Sequence, residues 1–142
     1  MKTSLHTLIV AVFLTACNTH PEPINYGKDQ CAACRMTIMD KKFGAELVSS
    51  KGKIIKFDSG ECMLAYLKAD NTFKPNLHLV VNYAEPGSLI EADKAFYLHG
   101  GNVNSPMGGN LAAFNTSNNA EKFKATIGGD LLNWTDIKQI DF

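Results

Sequence analysis

Two places 57 residues apart in the chain set out the same local programme. Phe57-Asp58-Ser59 and Phe114-Asn115-Thr116 each end an apolar stretch on an aromatic ring, supply residues able to cap a helix, and lead into a helical pattern in which Tyr66 answers Phe123. A chain that twice runs strand, cap and helix is neither an all-helical bundle nor an all-β sandwich. The class it fits is α+β: two ββα-type units with antiparallel strand pairing, forming one small compact domain. Duplication and shared capping chemistry both account for the echo.

In the first unit, Gly44 to Ser49 reads as a strand, Lys51-Gly52-Lys53 as a turn, and Ile54 to Phe57 as the returning strand. A helix from Ser59 to Ala69 follows, with Asp58 and Glu61 as an N-cap to N3 capping pair and Phe57 and Cys62 at the staple positions. Its buried face is then Cys62, Met63, Tyr66 and Leu67, and Leu77 to Tyr83 is a further strand. In the second unit Phe96 to Leu98 and Leu111 to Phe114 are strands on either side of a loop rich in glycine. Ser117 to Ile127 is a helix with Ala120, Phe123 and Ile127 inward, stopped by Gly128-Gly129, and Leu131 to Trp134 is a closing strand. The halves run from about 31 to 83 and from 94 to 142.

The N-terminus has a different character. Lys2 precedes the apolar run Leu8 to Leu14, too short to cross a hydrocarbon core about 30 Å thick, so it reads as the core of an export signal. The run ends in Leu14-Thr15-Ala16-Cys17, similar to a bacterial lipobox, which makes 1–16 a lipoprotein signal peptide and Cys17 an acylated anchor. Residues 17–30, polar and with two prolines, read as a tether, and 31–142 as the folded domain in an exported, extracytoplasmic setting. The 14 basic and 14 acidic side chains balance, which argues against a nucleic-acid partner held through phosphates.

The chemistry concentrates in Cys31-Ala32-Ala33-Cys34-Arg35-Met36-Thr37-Ile38-Met39, four sulfurs in nine residues. A structural zinc site needs a second cysteine pair, and the other cysteines after the signal are Cys17, the anchor, and Cys62, read as core. In an extended segment Cys34 and Met36 project to one side, and a thiolate with a thioether suits Cu(I), a soft d¹⁰ ion, better than zinc, iron or magnesium. Arg35 beside Cys34 is expected to favour the thiolate. Met107, between Pro106 and Gly108-Gly109, has no helical or strand period to explain it and is the best third donor; Cys31 and His99 are further candidates. Mobility of the Gly100 to Gly109 loop would let Cu(I) leave by ligand exchange. An exported thiol-disulfide protein using Cys31 and Cys34, or a structural lipoprotein, remains open. No Ser-His-Asp order, paired carboxylates or phosphate loop points to catalysis.

Together, the lipobox ending at Cys17, Cys31-x-x-Cys34-x-Met36, Phe57-Asp58-Ser59 with its helix, and Met107-Gly108-Gly109 resemble the NosL family of nitrous oxide reductase accessory lipoproteins. The resemblance implies a monomeric copper chaperone that holds one Cu(I) and passes it, by way of a membrane transporter complex, towards the copper centre of nitrous oxide reductase in the periplasm. It also implies two ββα units and ligands at Cys34, Met36 and Met107. One departure stands out: the family commonly has glycine where this chain has Arg35.

Overall fold

The computed structural model describes residues 20–70 and 72–142, so the segment read as a signal peptide and Cys17, read as an anchor, lie outside the described residues. The elements are β1 (Ala45–Ser49), β2 (Ile54–Phe57), α1 (Gly60–Ala69), β3 (Pro75–Val81), β4 (Leu89–Glu91), β5 (Phe96–His99), β6 (Leu111–Phe114), α2 (Ser117–Ile127), β7 (Asp130–Leu132) and α3 (Trp134–Ile137). One sheet has the order β2-β1-β3-β4 and the other β6-β5-β7, with every strand pair antiparallel. In each, the first strand of the unit lies between its hairpin partner and the strand that follows the helix. Each ββα unit thus closes with the strand expected after its helix, giving ββαβ. A parallel bridge between Asn82 and Ala113, with Tyr83 N–H donating to the Ala113 carbonyl at 2.7 Å, joins the two sheets.

The echo in the sequence is an echo in packing. Phe57 and Phe114 are both fully buried, and each meets the ring of its own unit's helix, Tyr66 at 5.3 Å and Phe123 at 5.2 Å between centroids. Ser59 and Thr116, the same 57 residues apart, are the two N-caps: each has extended backbone and accepts from the backbone N–H three residues on, Cys62 and Asn119. The larger core runs through Leu47, Phe57, Met63 and Tyr97; the smaller gathers Phe43, Leu98, Ala112, Phe114 and Ala120.

Three expectations shift. The cap of α1 is Ser59, not Asp58, because the Ser59 side chain receives the Cys62 N–H; Asp58 is buried and takes the Met39 N–H instead. That moves the helix frame by one residue, so Glu61 is not the reciprocal partner of a capping box and Phe57 and Cys62 are not a staple pair. The buried side of α1 accordingly includes Glu61 and Leu64. Secondly, the closing strand ends at Leu132, and Asn133 caps α3 with Asp136 returning to the Asn133 N–H, so Trp134 is helical. Thirdly, much of the segment read as a tether is seated on the domain. Ile24 is 7% exposed, Lys56 Nζ binds the Pro23 carbonyl at 2.9 Å and Asp29 at 2.8 Å, and Glu22 N–H donates to buried Glu46. The apolar anchors Ile24 and Tyr26 are spaced too irregularly to read as an element.

Replacing Ser59 or Thr116 by Ala should each lower unfolding free energy by about 1 kcal/mol in urea titrations. A Ser59→Ala protein as stable as the parent would return the cap to Asp58.

Candidate metal centre

The sulfur-rich segment is a tight reversal laid against the first sheet. Gln30 pairs with Thr37 across it, Cys31 N–H donates to the Met36 carbonyl at 2.9 Å, and Arg35 N–H donates to the Cys31 carbonyl at 3.0 Å. Ile38, fully buried, anchors the return, and Ala32 N–H donates to the Lys56 carbonyl of β2. Closing the reversal in so few residues puts Arg35 at φ +66°, in the left-handed region. The segment is not extended there, so the alternation expected to set Cys34 and Met36 side by side is broken. Cys31 is fully buried, Cys34 is at the margin, and Met36 is 55% exposed.

A third cysteine arrives from elsewhere. Cys62, in the first turn of α1, brings its sulfur to those of Cys31 and Cys34, all three lying within 4.8 Å of one another. The hydrogen bond from the Cys62 thiol holds the Cys31 sulfur well below the ordinary thiol range, down to about 4, against its burial; the N–H groups of Cys34, Asp58 and Ala33 add to it. Cys62, as the donor in that bond and buried besides, is pushed up. Burial raises Cys34 as well. The expected help from Arg35 is not among the causes that lower a thiol here: backbone dipoles and a neighbouring thiol do so, and Cys31 is the thiol they favour as thiolate. The three sulfurs together could hold a metal ion, and a thiol that bound one would give up its proton.

Beside this cluster opens a cavity of ≈ 330 Å³ lined by Cys34, Cys62, Glu61, Met107, Gly109 and Phe142, with Ala33 and Ala65. Cys34 and Met107, 73 positions apart in the sequence, share it. Met107 is 48% exposed at the tip of its loop. The rest of that loop is pinned: Val103 is buried, Asn102 N–H donates to the Ile127 carbonyl at 2.7 Å, and Glu61 receives both the Ser105 hydroxyl and the Leu111 N–H. At the tip Pro106, Met107 and Gly108 are exposed, with Gly108 N–H donating to the Ser105 carbonyl at 3.0 Å. Met36 and His99 are not among the residues lining the cavity; His99 sets its ring edge-on to Phe142 at 5.9 Å. Cys62 and Glu61 were missed as site residues. Their place in the first turn of a helix after a strand was legible, but nothing in the sequence measures the distance from residue 62 to residue 31.

Known proteins give the arrangement a context. Residues 24–141 match the family model described as NosL. The copper-binding lipoprotein NosL of Stutzerimonas stutzeri is 28% identical over 151 aligned positions, covering 96% of this chain and 80% of that protein. The crystal structure of the copper chaperone NosL from Shewanella denitrificans has the same fold, with a TM-score of 0.73 at 21% identity, covering 85% of this chain and 97% of that one.

Because a side chain in the left-handed region is strained, Arg35→Gly should raise unfolding free energy by about 0.5–1 kcal/mol, net of the greater freedom of glycine in the unfolded chain. Thermal and urea unfolding of the metal-free protein test this; a less stable glycine variant would show that the Arg35 side chain contributes more than its backbone costs.

Proposed function

The chain belongs to the NosL family, and from that premise we propose that it is a membrane-anchored Cu(I) carrier that delivers copper to an exported copper enzyme, nitrous oxide reductase being the foremost candidate. The observation that carries the reading is the shared cavity. A thiol from the sulfur-rich segment and a thioether from a distant loop face one space, beside two further thiols. Relatives named as copper-binding and as a copper chaperone support the choice of ion. Thiolate and thioether donors favour Cu(I) over harder cations on chemistry alone.

The donor set also suggests how cargo would move. Cys31 and Cys62 form the enclosed side of the site, whereas Met107 stands half-exposed at its rim. A thioether binds without losing a proton and is the weaker donor, so an acceptor's sulfur or imidazole displaces it first and draws the ion outward. Met36, more exposed still, is kept as a further ligand on the acceptor's side. Acylated Cys17 would hold the carrier, as a monomer, on the membrane beside a transporter complex that leads to the acceptor.

Anaerobic titration of the reduced full chain with Cu(I) against a chromophoric chelator tests the reading. One tight equivalent is expected. Cys34→Ala should be most damaging, with losses of about 10–100-fold for Met107→Leu and smaller ones for Met36→Leu. Affinity no better than that of a peptide with free thiols would overturn it. The three adjacent sulfurs also suit thiol-disulfide chemistry; that activity would be abolished by replacing Cys31 or Cys34 and indifferent to both methionine changes.

A further inference from the structure

Glu61 is the feature of the site that neither helix capping nor ligation by sulfur explains. Ser59 already caps α1, and Glu61, two residues on, is only 2% exposed. Its Oε1 accepts from the Ser105 hydroxyl and, at 3.2 Å, from Leu111 N–H, while Oε2 has no hydrogen-bond partner among the described residues. Burying a carboxylate with one oxygen unsatisfied is destabilising relative to a well-packed apolar side chain, so stability alone does not account for it. What it does account for is location. Ser105 and Leu111 bracket Met107, and the Ser105 hydroxyl also accepts Asn110 N–H at 2.8 Å, so one carboxylate oxygen fixes both arms of the Met107 turn. Gly109 packs so closely on Glu61 that a Cβ there would lie 2.5 Å from its Cγ. Helix α1, which carries Cys62, is thereby bolted to the loop that carries Met107.

We propose that Glu61 is a positioning residue for the cargo site: through Ser105 and Leu111 it holds the Met107 thioether at the cavity that Cys34 and Cys62 line. This rests on the Cu(I) reading above, and it adds the residue that decides whether the sulfur from the second unit is in place when the ion arrives. Glu61 acts through the loop and does not itself need to touch the ion.

The test is a double-mutant cycle in Cu(I) affinity, read by chelator competition with the reduced full chain. Ser105→Ala and Glu61→Ala should each weaken Cu(I) binding by about tenfold, the lower end of what losing a residue that orients a ligand does. Glu61→Gln, which keeps an oxygen able to accept both bonds, should stay close to the parent. In a Met107→Leu background all three should have no further effect, a non-additivity that a general loss of stability would not produce. Should Glu61→Ala fail to fold, Ser105→Ala carries the cycle. Additive losses, or an unchanged affinity in Ser105→Ala while Met107→Leu is weakened, would overturn the proposal and leave the carrier reading standing. If Met107→Leu itself binds Cu(I) like the parent, the proposal falls together with Met107 as a ligand.

Discussion

The passage from β2 into α1 is fixed by the hydrogen bond that Cys62 N–H gives to Ser59 Oγ, at 3.3 Å, and the surrounding structure takes its bearings from that contact. With the cap in place, Phe57 is committed to the core, the Asp58 N–H points at the Cys31 sulfur, Glu61 faces the far loop and Cys62 faces the other two thiols. Six consecutive residues thus supply the core, the cap, a donor to the thiolate, a clamp and a sulfur. Any slip of the helix by one residue would turn each of these to a different direction, since successive side chains on a helix are about 100° apart.

The electrostatics of the site follow from what surrounds the sulfurs. Neutral donors, N–H groups and a thiol, hold the Cys31 sulfur low, while burial and the proximity of Cys31 raise the carboxyl of Asp58. Three thiols within 4.8 Å of one another make a cluster able to hold a metal ion, and neutral donors leave the charge of any thiolate there for that ion to meet.

Much of this was legible beforehand, and the parts that were not have identifiable reasons. The strand and helix positions followed from apolar period and punctuation, and α2 spans the expected residues with Gly128 as its stop. Capping was assigned one residue early because Asp and Ser are both good caps and stand side by side at 58 and 59; only the backbone decides between them. The Asn133 cap was overlooked in a stretch whose apolar residues suited a strand. At the site, Cys34 and Met107 were singled out from composition and setting. The side-by-side geometry of Cys34 and Met36 assumed an extended chain, which the reversal at Arg35 rules out. The third thiol required knowing where the N-terminus of α1 sits relative to residue 31, and that is a matter of tertiary packing.

The two ββαβ units are alike in wiring but unlike in what they hold. The place that Cys62 occupies after the first cap is taken by Asn119 after the second, and the turn between the first two strands, short in the first unit, is in the second the long arm that ends at Met107. Neither half owns the site. An ion held by sulfurs from both would act as a rivet across the seam, and each delivery would withdraw it, so that loading and unloading are also a tightening and a slackening of the protein between its halves.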